Sequence, residues 1–150
     1  MTSQELRRKL QQRREGAAAA ALTANLADVE VAGFVQDDVF PQWIAEAFAA
    51  FMKTSSTPFV RVPDGSTEAV IGTMYRQLLA VAGIRDRFYC RTGLETRPWM
   101  DCVVTGPDWL RSLRAEVGES LDFVSHDMTA LAMTFDDEHE LLGFFATAEA

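Results

Sequence analysis

The chain has 150 residues, of which 48% are hydrophobic and 24% charged, which is typical of one globular domain with a single hydrophobic core. Its formal net charge of −8 at pH 7 argues against nucleic acid as the main ligand, because phosphate binding needs a dominant basic surface. No run approaches the roughly 20 apolar residues of a membrane span, and the charged N-terminus is unlike a signal peptide, so we expect a cytoplasmic protein without a membrane partner.

The first residues of the chain are predicted to be helical. Thr2 opens a T-x-x-E capping box, which begins a polar, basic helix over residues 1–15 that is free to project from the domain. Gly16 is predicted to interrupt this helix, and the alanine-rich segment Ala17–Leu26 has a high helix propensity of its own. The apolar stretch Val31–Phe34 is then predicted to be a connection.

Two further helices are predicted on either side of a short strand. Asp37–Pro41 is predicted to start an amphipathic helix, because bulky apolar residues then recur at intervals of three and four. Phe59–Val62 is predicted to be a strand that a Pro-Asp-Gly turn ends. Ser66 is predicted to cap a helix that stops at Gly83.

Short strands dominate the second half of the chain. The predicted strands are Arg87–Thr92, Trp99–Thr105, Leu121–Ser125, Thr129–Phe135 and Leu141–Thr147. A short helix is predicted between Gly106 and Gly118. This order predicts an α+β fold in which N-terminal helices pack on a mostly antiparallel sheet formed by the C-terminal half. Without an internal repeat or a linker, residues 1–150 are expected to form a single globular domain.

The two cysteines lie in neighbouring predicted strands. If these strands pair as a hairpin, Cys90 and Cys102 become neighbours, and a disulfide bridge is compatible with the sequence. The alternative is a reduced pair that packs as two small hydrophobic residues. We favour the reduced pair, because the expected compartment is the cytoplasm.

Two clusters of ionisable residues could suggest catalysis. Ser125, His126 and Asp127 are adjacent, but neighbouring side chains of an extended segment point to opposite faces and cannot form a catalytic triad. The run Asp136–Glu140 could bind a metal, yet Gly143 stands where a zinc protease motif needs its second histidine. A solvated loop, or a docking patch for a basic protein, is the better interpretation. We therefore expect no catalytic residues, no metal and no cofactor.

The charges are unevenly distributed along the chain. Residues 1–15 hold five basic and two acidic side chains, a net charge of +3, whereas residues 119–150 hold eight acidic and no basic side chains. Such an asymmetry can steer a partner of opposite charge. The acidic residues predicted to contact this partner are Asp122, Asp127, Asp136, Asp137, Glu138 and Glu140. Trp99 and Trp109 lie near turns, where each is either part of the core, which we favour, or an anchor of the interface.

The stretch Leu121–Phe145 is similar to the closing hairpin of some bacterial immunity proteins, which neutralise polymorphic and contact-dependent-inhibition toxins. These are small, acidic, cytoplasmic α+β proteins without catalytic residues. The resemblance implies a protein that binds a cognate toxin, often a nuclease, and occludes its basic active site with an acidic surface.

Two other functions are compatible with the sequence. A small-ligand or enzymatic domain would need a pocket in the strand-rich half, lined by residues such as Arg61, Arg91, Asp101 and His126. A regulatory or scaffolding protein would carry the same acidic surface as an immunity protein.

Overall fold

The computed structural model describes residues 2–53 and 55–148. The helices in these ranges are α1 (Ser3–Asn25), α2 (Gln42–Phe51), α3 (Glu68–Ala82) and α4 (Trp109–Glu116). The strands are β1 (Val29–Val35), β2 (Val60–Pro63), β3 (Arg87–Arg91), β4 (Trp99–Val104), β5 (Asp122–Ser125), β6 (Ala130–Asp136) and β7 (Glu140–Thr147). All seven form one antiparallel sheet in the order β1-β4-β3-β5-β6-β7-β2. The α+β prediction is confirmed.

The first strand was not expected. Val31–Phe34, predicted to be a connection, lies inside β1, which pairs with β4 along one border of the sheet. The register of this pairing shifts between Val31 and Gly33, as in a β-bulge. The shift interrupts the alternation of apolar and polar residues by which a strand is recognised in a sequence.

The helix boundaries also differ from those predicted. α1 is continuous through Gly16, so the expected break there is wrong. A Cβ at Gly16 would make only an ordinary contact, 3.4 Å from the guanidinium of Arg97. α2 begins at Gln42 because Pro41 is extended, and the preceding acidic residues form a separate 3-10 turn. Thr67 rather than Ser66 caps α3.

The N-terminal part of α1 is solvent-exposed. Thr2 and Glu5 form the predicted capping box. Residues 2–10 are all exposed, and Leu6 and Leu10 keep 49% and 48% of their surface accessible. Hydrogen bonds to the loop between β3 and β4 begin with Gln11, whose side-chain amide donates to Glu95 at 2.7 Å. None of the helices described is both long enough and apolar enough to cross a membrane.

Helices cover both faces of the sheet. On one face, α3 packs over β7, β2 and β6, and its Leu78 lies in the same buried cluster as Phe88 and Phe123. Gly143 of β7 is tightly enclosed, because a Cβ there would lie 2.8 Å from Val60 of the paired strand β2 and 3.1 Å from Leu78 of α3. On the other face, α2 covers a second cluster that contains Trp99.

A buried polar cluster joins α3 to the start of β5. The Tyr75 hydroxyl donates to the carbonyl of Glu119 at 2.7 Å and lies 3.0 Å from the Thr134 hydroxyl. The amide of Leu121 donates to the Thr134 hydroxyl at 2.7 Å and to the Tyr75 hydroxyl at 3.2 Å. Burial raises the pKa of Tyr75 to about 12, because the phenolate would be poorly solvated there.

Both cysteines are buried and free. Cys90 pairs with Met100 in the register of β3 and β4, while Cys102 pairs with Phe88, so the two thiols are offset rather than directly opposite. Burial raises the pKa of the Cys102 thiol to about 12. The structure therefore has the reduced pair that the sequence favoured, with both thiols in their uncharged form at neutral pH.

Candidate protein-binding surface

The turn between β6 and β7 is rich in carboxylates and internally braced. The amide of Asp137 donates to the carbonyl of Glu140 at 3.0 Å, which closes the turn. One carboxylate oxygen of Asp137 accepts hydrogen bonds from the amides of His139 and Glu140, both at 2.8 Å. These bonds to the charged form lower the pKa of Asp137. Asp137 thus fixes the turn and presents its carboxylate as an anion.

A second turn adds a carboxylate to the same place. The amide of Asp64, between β2 and α3, donates to the carbonyl of His139 at 2.8 Å. We call the resulting group of five carboxylates the acidic tip; its members are Asp64, Asp136, Asp137, Glu138 and Glu140. Among the described residues, its only ion pair joins Glu140 to Arg61 at 3.5 Å. The acidic tip therefore keeps most of its negative charge available to a partner.

An apolar side chain lies next to the acidic tip. Phe135 directly precedes Asp136 in β6 and pairs with Leu142 of β7. It keeps 39% of its surface exposed. An exposed aromatic side chain beside a charged group can anchor a protein interface, because a partner gains apolar burial there.

The structure separates two predicted contact residues from the others. Asp127 lies at the opposite end of β6, where Thr129 and Ser125 donate hydrogen bonds that lower its pKa. Because a strand rises about 3.3 Å per residue, the seven residues of β6 place Asp127 roughly 20 Å from the acidic tip. Asp122 accepts a hydrogen bond from Arg91 at 3.0 Å, and burial raises its pKa. Four of the six predicted acidic residues therefore belong to one surface.

The two tryptophans have packing roles. Trp99 is only 1% exposed, and its indole nitrogen donates to Asp37 at 2.7 Å. Trp109 is half-buried and packs on Phe88 and Phe123. Trp99 thus offers no surface to a partner in this structure and belongs to the core, which is the interpretation that the sequence favoured.

The Ser125–Asp127 segment does not form a catalytic triad. Ser125 pairs with Phe88, whose side chain faces the α3 side of the sheet. Its hydroxyl donates to Asp127 at 2.7 Å and accepts hydrogen bonds from the amides of Thr129 and Ala130. The ring of His126 stacks on Tyr89, whose side chain faces the α2 side, with 5.5 Å between centroids. Serine and histidine therefore point to opposite faces, as the alternation of side chains predicted.

The residues considered for a ligand pocket do not converge on one cavity. His126 lies 3.9 Å from Asp101, on the α2 side of the sheet. Arg61 lies on the border strand β2 and lines a cavity between that strand and α3, whereas Arg91 lines a different cavity, between α2 and the sheet. Within residues 2–53 and 55–148, no three His, Cys, Asp or Glu side chains are arranged to hold a metal ion.

No protein family, curated protein or solved structure matches the chain. The acidic tip and its surroundings are therefore the observations that bear on function.

Proposed function

We propose that the protein is an immunity protein that binds a cognate bacterial toxin and occludes its active site with the acidic tip. The observation that carries the proposal is the backbone contact between two carboxylate-bearing turns, distant in sequence, at one end of the sheet. A nuclease lines its substrate cleft with Lys and Arg side chains that contact phosphates. A compact group of carboxylates can occupy the same positions and exclude the nucleic acid.

The hydrogen bonds of the acidic tip support this role. Asp137 holds its own turn, and the bond from Asp64 to His139 fixes the two turns relative to each other. A surface that is ordered before binding loses less conformational entropy when the complex forms. Complementary charge would accelerate association, and burial of Phe135 would slow dissociation.

The test uses a basic nuclease toxin encoded beside the gene. The tip variant carries Asp64→Asn, Asp136→Asn and Glu138→Gln, and it keeps Asp137 so that the turn remains closed. We expect the association rate at low salt to fall by about tenfold or more, and the rates of variant and wild type to converge at high salt. Phe135→Ala is expected mainly to raise the dissociation rate. Surface plasmon resonance over a salt series measures both rates.

A matched control removes the same charge elsewhere. Glu30→Gln, Glu46→Gln and Glu116→Gln change three exposed carboxylates outside the acidic tip. If the control lowers the association rate as much as the tip variant, net charge rather than the acidic tip governs binding. If the wild-type protein neither binds the toxin nor protects cells that express it, the immunity function is wrong.

A further inference from the structure

The guanidinium of Arg91 is held in one orientation. Its central carbon lies 4.4 Å from the ring centre of Trp99 and 5.1 Å from that of Phe48. Its Nε donates to Asp122 at 3.0 Å. The side chain is 39% exposed, and no described residue accepts a hydrogen bond from its two terminal nitrogens. Arg91 therefore presents a fork of donors whose orientation is fixed before a ligand binds.

This fork opens into a cavity of about 400 Å³ between α2 and the sheet. The apolar part of the lining comes from Phe40, Ile44, Phe48 and Trp99. The carboxylate of Asp37 also lines the cavity, and the indole of Trp99 donates to it at 2.7 Å. A positive and a negative group are thus both placed against the same indole. The volume lies within the range of small-molecule sites.

The two charges restrict the kind of ligand. Arg91 already forms an ion pair with Asp122, and the carboxylate of Asp37 is a further negative charge in the lining. A simple anion that Arg91 attracts is therefore repelled by Asp37, and a simple cation that Asp37 attracts is repelled by Arg91. A molecule that carries both charges close together satisfies both side chains, and the aromatic wall adds space for an apolar group.

We propose that this cavity binds a free α-amino acid with an apolar side chain. Its carboxylate accepts hydrogen bonds from the terminal nitrogens of Arg91, and its ammonium group pairs with Asp37. Its side chain packs against Phe40 and Phe48, the half-buried aromatic residues of the lining. The site shares no residue with the acidic tip.

Isothermal titration calorimetry of the full chain tests the proposal with three probes. L-Phenylalanine carries both charges, 3-phenylpropionate lacks the ammonium group, and 2-phenylethylamine lacks the carboxylate. We expect phenylalanine to bind with a dissociation constant below about 1 mM and the other two at least about tenfold more weakly. No binding of phenylalanine at about 10 mM, or equal affinity for either single-charge probe, would overturn the proposal.

Two substitutions separate the roles of the charges. Arg91→Lys keeps the positive charge but removes the fork, and should weaken phenylalanine binding by about tenfold. Asp37→Asn keeps an acceptor for the indole of Trp99 but removes the negative charge. It should weaken the binding of phenylalanine and tighten that of 3-phenylpropionate. An Asp37→Asn variant that weakens both probes equally would contradict the assignment of the ammonium group.

A third substitution does not disturb the ion pair of Arg91 with Asp122. Ala45 lines the cavity from an exposed position of α2, so Ala45→Leu narrows the cavity without entering the core. Ala49, one turn later, is exposed and lies outside the lining, which makes Ala49→Leu the matched control. We expect about a tenfold loss of affinity in the first variant and less than about a twofold change in the second. Unchanged affinity in Ala45→Leu would place the ligand elsewhere and overturn the proposal.

Discussion

Replacing Tyr75 with phenylalanine removes one hydroxyl group from the buried cluster that joins α3 to the start of β5. The carbonyl of Glu119 then loses the hydrogen bond that it accepts at 2.7 Å. The amide of Leu121 loses its contact with Tyr75 but keeps the shorter bond to Thr134 at 2.7 Å. The substitution therefore leaves one carbonyl without its partner and creates no cavity larger than the missing oxygen.

The expected loss of stability in Tyr75→Phe follows from the hydrogen bonds that are lost and kept. Removing one partner of a buried hydrogen bond costs about 1–2 kcal/mol when most of the surrounding bonds remain. For a domain of this size, that loss lowers Tm by about 3–7 °C. Urea denaturation at pH 7, followed by circular dichroism, measures the free energy of unfolding directly.

The stability of the protein at alkaline pH provides a second test of the Tyr75 hydroxyl. The pKa of Tyr75 is about 12 in the folded protein, against about 10 for an exposed tyrosine. The unfolded chain therefore loses this proton first, and stability falls as pH rises from about 10 to about 12, by roughly 2–3 kcal/mol in total. Tyr75→Phe should reduce that slope without abolishing it, because Cys102 also has a raised pKa of about 12.

The chain offers a matched control in its other tyrosine. Among the described residues, none hydrogen-bonds to the hydroxyl of Tyr89, so Tyr89→Phe should change the stability at pH 7 by less than about 0.5 kcal/mol. Equal stability of Tyr75→Phe and wild type, or an equal loss in both variants, would refute the role given to the buried cluster.

Three further predictions concern packing, the β5–β6 turn and acid stability. Gly143→Ala should cost about 1–3 kcal/mol because of the close contacts between β7 and its neighbours; Gly33→Ala, where a Cβ meets nothing within 4 Å, is its control in thermal melts. Ser125→Ala should lower the free energy of unfolding by about 1–2 kcal/mol while toxin affinity stays unchanged, and a large loss of affinity would argue against a purely structural hydroxyl. Hydrogen bonds lower the pKa values of Asp127 and Asp137 in the folded protein. Both carboxylates therefore stabilise the fold above the usual aspartate pKa, and this stabilisation is lost as the pH falls through their lowered pKa values. In Asp127→Asn, the free energy of unfolding should therefore fall less steeply at acid pH than in the wild type. The same steepness in both proteins would contradict the stabilising role given to the Asp127 carboxylate.

The parts of the fold that depend on local contacts could be predicted from the sequence. α3 ends where Gly83 adopts a left-handed conformation, with φ of 78°, which only glycine reaches at little cost. The β6–β7 hairpin also depends on local contacts and was predictable, because its two strands and its turn are contiguous in the chain. Four members of the acidic tip belong to this hairpin or its turn, so a charge count along the sequence found them.

The other features depend on contacts between distant residues. Asp64 joins the acidic tip through a bond to His139, and no local pattern in the sequence indicates that contact. Asp127 is close to the hairpin in sequence, but the length of β6 carries it to the other end of the sheet. The half-buried ion pair of Asp122 with Arg91 likewise depends on the pairing of β3 with β5.

The order of the strands has a consequence for how the chain folds during synthesis. β1 and β2 come from the N-terminal half, but their partners β4 and β7 are made about 70 to 80 residues later. Both strands must therefore wait, unpaired, while most of the chain leaves the ribosome. Closing such long loops is entropically costly and slow compared with forming a local hairpin. The central hairpins β3–β4 and β5–β6 can form first, and the sheet is completed from its centre outward to its two borders.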